Sequence, residues 1–170
     1  MLVILSGFMG VGKTEIAKRF EDIGYIRLDR DAYRHFFFQP VDFQDFEQRE
    51  AAYHAMLPIA LYHLRKGRNV VFDGLLFNHK DQVDRAIAIA REAGSPVKIL
   101  YLTAPDEIVI ERLKAQTEHD SAPSRTPADF QRVKAKFEKL EYSHTTIDTN
   151  RPLDDVFKDC LAYVNSKDIK

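Results

Sequence analysis

The chain has 170 residues, with 25 Lys and Arg against 26 Asp and Glu, so its formal net charge is −1. This length suits one domain over residues 1–170, and a composition of 45% hydrophobic and 30% charged residues is typical of soluble globular proteins. No apolar run approaches the roughly 18 residues that a membrane span needs, and the near-neutral charge argues against a protein that coats nucleic acid.

A phosphate-binding motif follows the first predicted strand, which covers residues 2–5. Residues 7–14 read GFMGVGKT and match G-x-x-x-x-G-K-[ST], in which glycines let successive backbone amides turn inward. A helix then runs to Gly24, so that its N-terminus faces the bound anion. The motif predicts ATP and Mg²⁺ as ligands, with Lys13 on the phosphates and Thr14 on the metal. The candidate nucleotide-binding residues are Gly7, Gly10, Val11, Gly12, Lys13 and Thr14.

Charged residues follow the second predicted strand, which covers residues 25–28. Charges at the carboxyl end of a parallel strand point into the ligand-binding cleft. Phosphoryl transfer to a hydroxyl uses a carboxylate near the acceptor to take its proton, so Asp29 and Asp31 are candidates for that base. The plainer alternative is that Asp31 and Arg34 form an ion pair on an exposed helix face.

Two helices are predicted next, over residues 31–38 and about 43–66. Pro58 lies inside the second helix and should kink or split it. Residues 36–38 are three consecutive phenylalanines. Because three consecutive side chains on a helix point in three directions, we expect at least two of them to enter the core; stacking on a flat acceptor is the alternative.

Asp73 ends a third apolar strand, over residues 69–74, in the pattern of the second nucleotide-binding acid of P-loop proteins. If this strand lies beside the first, Asp73 faces Thr14 across the cleft. We therefore predict Thr14 and Asp73 as the metal-binding pair, and we count Asp73 with Asp29 and Arg34 on the acceptor side. The plainer alternative for Asp73 is a turn-forming Asp-Gly pair.

The rest of the chain continues the alternation of helices and strands. Helices are predicted over residues 78–94, from 103 to about 116, from 126 to 140 and from about 152, and strands over residues 97–102 and 144–147. Residues 117–126 are polar, contain Pro and Ser, and are expected to form an exposed lid loop. Five alternations without repeats predict an α/β fold with a parallel sheet covered by helices on both faces.

Cysteine and histidine usage excludes two further kinds of site. The single cysteine, Cys160, lies in an apolar helical stripe and is expected to be a core thiol. The six histidines and Cys160 show no zinc-binding spacing, so we expect no structural zinc. The first apolar run is too short for a signal peptide, which favours a cytoplasmic location.

Residues 28–34, LDRDAYR, resemble the N-R-D-D-x-R segment of the 5′-hydroxyl polynucleotide kinases and their small AAA-type P-loop kinase relatives. The resemblance implies a three-layer α/β/α P-loop NTPase fold with strand order 2-3-1-4-5. It also implies that Asp31 is the general base and that Arg34 grips a phosphate of the acceptor. The likeness extends in order along nearly the whole chain, through Asp73, residues 111–113 and residues 147–149.

The sequence departs from that family at several positions. Asp29 stands where the family has Asn, Ala32 where it has Asp, and Gln116 where it has a lid arginine. Residues 7–10 look more like the start of the P-loop in shikimate kinase. These departures weaken the assignment of a nucleic-acid acceptor without affecting the assignment of a kinase.

Arginines near the lid are candidates for stabilising the transferred phosphoryl group, because a guanidinium matches its developing charge. We expect Arg112 first and Arg125 second to act there, while exposed surface positions are the alternative for both and for Arg132. By resemblance, Arg151 lies where relatives place an adenine-contacting loop. An exposed position at the start of a helix is the alternative.

Together these features predict an ATP-dependent kinase that phosphorylates a hydroxyl group. The predicted catalytic residues are Lys13, Asp31, Arg112 and Arg125. A small-molecule acceptor such as a metabolite, nucleotide-sugar or antibiotic is favoured slightly over the 5′-hydroxyl end of a nucleic acid. A nucleotide-dependent switch protein is a third hypothesis, but it would need no acceptor carboxylate such as Asp31.

Overall fold

The computed structural model describes residues 1–77, 79–117, 126–135, 137 and 140–166. The strands are β1 (Leu2–Ser6), β2 (Ile26–Asp29), β3 (Val70–Asp73), β4 (Val97–Thr103) and β5 (Thr145–Asp148). The helices are α1 (Lys13–Asp22), α2 (Arg30–Phe37), α3 (Phe46–Arg65), α4 (Lys80–Glu92), α5 (Asp106–Thr117), α6 (Pro127–Lys134) and α7 (Leu153–Val164).

The five strands form one parallel sheet in the order β2-β3-β1-β4-β5. This confirms the predicted α/β fold and strand order. Chain order reverses direction at β1, which lies between β3 and β4. Ligands of open α/β sheets bind beyond the carboxyl ends of the strands at such a reversal, and the phosphate-binding motif begins directly after β1.

Both faces of the sheet are buried, and β1 shows how the sequence achieves this. Val3 and Leu5 pack in one apolar cluster with side chains from α1 and α7, whereas Leu2 and Ile4 pack in a second cluster with side chains from α3 and α4. Successive side chains of a strand point to opposite faces, so a continuous apolar run supplies both layers. Each of these four side chains is at most 1% exposed.

The region after β2 differs from expectation in two ways. Helix α3 is continuous through Pro58, so of the two predicted outcomes, a kink or a split, the split does not occur. Pro58 lies on an exposed part of the helix, where water can satisfy the carbonyl that lacks its usual partner. Phe36 and Phe37 are 79% and 51% exposed rather than buried. The inward face of α2 carries Arg34, which is 1% exposed, so the phenylalanines point away from the core.

Other elements differ from prediction mainly at their ends. Helix α6 ends at Lys134, short of the predicted residue 140. The predicted lid falls largely on residues 118–125, which lie outside the described residues, as does Asn78 at the predicted start of α4. Cys160 is buried against the sheet as expected, and burial raises the pKa of its thiol to about 12. No helix within the described ranges is long and apolar enough to cross a membrane.

Candidate active site

The loop between β1 and α1 is built around glycines that no other residue could replace without strain. Gly7 has φ +137°, and a Cβ added there would lie 2.4 Å from the carbonyl oxygen of Leu102. Gly12 has φ +88° and is the N-cap of α1, so the first helical residue is Lys13. The turn therefore brings the free amides of a helix N-terminus to the end of the central strand, which is the geometry that binds phosphate.

Three residues of this loop show which of its parts contact the rest of the protein and which can contact a ligand. Lys13 is 8% exposed, and its Nζ donates to the carbonyl oxygens of Gly7 at 2.7 Å and Phe8 at 2.6 Å. Val11 is 1% exposed and packs in the core, so only its backbone can meet a ligand. Gly10 packs against α5, where an added Cβ would lie 3.1 Å from Leu113 and Val109. The loop is thus anchored on one side and open on the other.

Thr14, at the amino end of α1, meets Asp73, at the carboxyl end of β3. The hydroxyl of Thr14 donates to Asp73 Oδ1 at 3.1 Å, and the amide of Gly74 donates to the same oxygen at 2.8 Å. The sequence predicted this pairing of Thr14 with Asp73. A hydroxyl and a carboxylate are hard oxygen donors and fit Mg²⁺. The described ranges contain no group of three His, Cys, Asp or Glu side chains arranged for a metal ion.

Asp29 and Asp31 occupy different environments although they are two residues apart. Asp29 is the N-cap of α2, and its Oδ1 accepts from the amide of Asp31 at 2.9 Å. Burial and the neighbouring Asp73 carboxylate raise the pKa of Asp29. Asp31 borders the cavity that also contains Lys13 and Thr14, and Asp29 does not. The geometry therefore separates a capping carboxylate from one that faces the cavity.

Arg34 is a buried cation at the wall of this cavity. Its Nη2 donates to the carbonyl oxygen of Asp42 at 2.6 Å, and its guanidinium lies 4.6 Å from the ring centroid of Phe43. Nη1 is 3.7 Å from Asp31 Oδ1, while Nε has no hydrogen-bond partner among the described residues. Burial lowers the pKa of Arg34, although the side chain keeps its charge. A buried guanidinium with an unused donor is suited to binding an anion.

The cavity has a volume of about 350 Å³ and joins the phosphate-binding loop to α2, the start of α3 and α6. Six cationic side chains line it: Lys13, Lys18, Arg30, Arg34, Arg49 and Arg132. Four acidic ones do so: Glu15, Asp31, Asp73 and Asp129. The excess of positive charge contrasts with the net charge of −1 for the whole chain, so cations are concentrated where an anionic ligand would sit.

Two other arginines predicted for the site, Arg112 and Arg151, do not line the cavity. Arg112 donates to the carbonyl oxygen of Thr149 at 2.8 Å and to its hydroxyl at 3.1 Å, which joins α5 to the segment after β5. Arg151 is exposed and pairs with Asp159 at 2.7 Å. Arg125 lies outside the described residues. The predicted roles of these three arginines therefore stay predictions.

The sequence predicted no role for three cations near the site, Arg27, Arg30 and Arg49, and it placed a fourth, Arg132, behind Arg112 and Arg125. Arg49 reaches the cavity because α3 packs on α2, a tertiary contact that has no local sequence signal. Arg132 lines the cavity from α6, beyond the predicted lid. Arg30 lies between the two candidate acids, and its sequence position gives it no role beyond membership of the motif. Arg27 did carry a signal, because it lies two residues before Asp29 on the same face of a strand.

A glycine-rich loop between a strand and a helix, a Thr–Asp pair beside it and a 2-3-1-4-5 parallel sheet define a P-loop nucleotide-binding fold. The chain belongs to the AAA domain family, whose model matches residues 2–140. None of the curated proteins matches this sequence.

Solved structures of kinases share the fold. An APS kinase of Mycobacterium tuberculosis, CysC, solved with AMPPNP and APS, superposes with a TM-score of 0.69 and 17% identity over 97% of this chain and 97% of that chain. A gluconokinase of Sinorhizobium meliloti gives 0.67 and 18% over 95% and 90%. A sugar kinase of Janibacter sp. gives 0.67 and 17% over 96% and 94%. At these identities the likeness shows the fold.

Proposed function

We propose that this protein is a single-domain P-loop kinase that transfers the γ-phosphoryl group of ATP to a hydroxyl of a small anionic molecule. One observation carries the proposal: a single cavity is bordered by the phosphate-binding residues Lys13 and Thr14 and by the carboxylate and guanidinium of Asp31 and Arg34. A switch protein that only binds nucleotide has no use for the second pair.

On the nucleotide side, the loop amides and Lys13 hold the phosphates of ATP. Thr14 and Asp73 are the residues that would hold Mg²⁺, which supplies charge neutralisation at the phosphate oxygens. Lys13 is already directed at the loop, where its Nζ donates to two carbonyl oxygens. In the proposed complex it exchanges those carbonyls for phosphate oxygens.

On the acceptor side, Asp31 accepts the proton of the acceptor hydroxyl as the hydroxyl oxygen forms its bond to the γ-phosphorus. The bond between the γ-phosphorus and the β,γ-bridging oxygen breaks, and its electron pair leaves with ADP. Asp31 is held at the first turn of α2 by the Asp29 cap, so its position relative to the loop is fixed. The phosphorylated acceptor and ADP are the products.

The acceptor is proposed to be small and to carry a phosphate, sulfate or carboxylate group. Arg34 and Arg49 lie together on the acceptor side, and a guanidinium pairs well with such oxyanions. A cavity of about 350 Å³ shared with a nucleotide phosphate leaves room for a metabolite rather than a long strand. Gluconate and APS, which appear in the names of the similar kinases, are therefore reasonable members of a test panel.

The test is phosphoryl transfer from labelled ATP to a panel of hydroxyl acceptors, with Asp31→Asn as the low-activity control. The panel contains sugars, sugar acids, sugar phosphates, APS, nucleoside 3′-phosphates and oligonucleotides of increasing length. A small anionic acceptor should give a KM that is indifferent to strand length. Affinity that rises with length and falls by about 0.7 log units per phosphate contact for each tenfold rise in salt concentration would instead identify a polynucleotide kinase. ATP binding without transfer to any acceptor would contradict the kinase proposal.

A further inference from the structure

Two carboxylates are placed side by side at the carboxyl ends of β2 and β3. Asp29 and Asp73 are direct partners in the parallel register of these strands. The Asp73 residue is 2% exposed, and the side chain of Asp29 is 25% exposed. Like charges at directly opposed positions destabilise a sheet, and burial makes the repulsion larger. The fold needs a cation at this point.

Arg27 supplies that cation from within β2. It lies two residues before Asp29, so its side chain leaves the strand on the same face. Its Nη2 donates to Asp29 Oδ2 at 2.6 Å and to Asp73 Oδ2 at 2.7 Å, and its Nε donates to Asp73 Oδ2 at 3.0 Å. The side chain is 16% exposed, and the remaining Nη1 is 3.7 Å from Glu21 of α1. One guanidinium therefore joins both carboxylates.

The remaining oxygen of each carboxylate points to a different half of the proposed active site. Oδ1 of Asp73 accepts from the hydroxyl of Thr14, and Oδ1 of Asp29 accepts from the amide of Asp31. A continuous chain of hydrogen bonds thus runs from the phosphate-binding loop to the start of α2, with Arg27 at its centre.

We propose that Arg27 is a positioning residue that holds two carboxylates in place together: Asp73, the proposed metal ligand, and Asp29, which caps the helix turn that carries Asp31. It occupies Oδ2 of Asp73, so that Oδ1 faces Thr14, and it holds Asp29 so that its Oδ1 reaches the amide of Asp31. The consequence for catalysis rests on the proposed function. The pairing of charges does not, and it can be measured in the protein without nucleotide.

The experiment is a double-variant cycle of Arg27→Met, Asp29→Asn and the two combined. The Asp29→Asn substitution would keep a side-chain oxygen that caps α2 but would remove one of the two repelling charges. The measurements are thermal unfolding without nucleotide, and binding of ATP with and without Mg²⁺. The control is Arg65→Met, which removes an arginine from an exposed ion pair with Glu92.

Arg27→Met is expected to lower Tm by about 5 °C or more, because it leaves two adjacent carboxylates uncompensated. It should weaken binding of ATP with Mg²⁺ about 10-fold or more, the usual effect of removing a partner of a metal ligand. Binding of ATP without Mg²⁺ should change by less than about 3-fold, since the loop amides and Lys13 remain. Adding Asp29→Asn should recover more than half of the loss in Tm, and Arg27→Lys should lie between Arg27→Met and the wild type.

The absence of any recovery in the double variant would overturn the proposal, because an arginine that acts by packing alone is not rescued by removing a charge. A parallel loss of ATP binding with and without Mg²⁺ would also overturn it. If Arg27→Met yields no folded protein, a folded double variant supports the proposal and an unfolded one contradicts it. Wild-type protein that binds ATP but phosphorylates no acceptor would end the kinase proposal while leaving this cycle fully interpretable.

Discussion

The two sides of the cavity, the proposed nucleotide side and the proposed acceptor side, are built in different ways. The nucleotide side comes from one continuous stretch, residues 7–14, together with Asp73, and much of it is backbone held by glycines. The acceptor side comes from separate side chains on α2 and α3, and on α6 about 60 residues further along the chain. Phosphate recognition by backbone amides has a fixed sequence pattern, whereas recognition by scattered side chains has none. A nucleotide-binding site is therefore easier to predict from this sequence than the acceptor of the proposed kinase.

The largest expected effect tests the nucleotide side. Lys13→Ala should reduce phosphoryl transfer by at least about 10³-fold, because the phosphates lose their main cation at the transferred group. The fold should persist, since the Lys13 amine bonds to loop carbonyls and not to the core. ATP turnover and Tm are measured together, with the exposed Lys158→Ala as the matched control. Normal turnover in a folded Lys13→Ala protein would remove the nucleotide-site assignment.

The next effect separates two carboxylates that a motif alone leaves equivalent. Asp31→Asn should lower kcat by about 10²-fold or more with little change in ATP affinity, as expected for loss of a general base. Asp29→Asn should lower kcat less, because an Asn oxygen still caps α2. Single-turnover rates with saturating ATP check the ranking. If Asp29→Asn is the more damaging, the base lies two residues earlier than proposed.

A smaller effect tests the cations of the acceptor side. Arg49→Ala should raise the acceptor KM about 10-fold or more, since hydrogen bonds to charged groups contribute strongly to binding, while the KM for ATP stays nearly constant. Arg34→Lys should do the same, whereas Arg34→Ala would also empty a buried position. Initial rates at varied acceptor and fixed ATP give the result. An equal rise in both KM values would show that this cluster belongs to the nucleotide side.

The smallest expected effect concerns Arg132 and Arg112, and it tests whether each acts in phosphoryl transfer or in ATP binding. Arg132 lines the cavity, so Arg132→Ala should lower kcat several-fold, about 10-fold at most for an exposed side chain. Arg112 bonds to Thr149 outside the cavity, so Arg112→Ala should lower Tm. It should also raise the KM for ATP by a larger factor than it lowers kcat. Steady-state kinetics on both variants decides between them. A larger fall in kcat for Arg112→Ala would restore its predicted role in the transfer.

Local sequence patterns were sufficient for the α/β class and for the phosphate-binding loop, whereas the strand order 2-3-1-4-5 came from the family resemblance. Apolar strands alternating with capped helices fixed the element order, and the Thr14–Asp73 contact followed from placing β3 beside β1. For the proposed acceptor side, the position after the second strand indicated Asp29 and Asp31, and the family motif then selected Asp31 and added Arg34. Arg49 and Arg132 depend on how α3 and α6 pack, and the outward turn of Phe36 depends on which face of α2 is buried. Neither the packing of α3 and α6 nor the choice of the buried face of α2 is encoded in the local sequence.

The single thiol of Cys160 can report local opening of this protein. It lies on the buried face of α7, and its pKa is raised to about 12, so at neutral pH almost none of it is the reactive thiolate while the helix stays in place. The rate of labelling by a thiol reagent then measures how often α7 separates from the sheet. Opening free energies of that segment, with and without ATP, can therefore be read from labelling rates on the natural sequence, with no engineered cysteine.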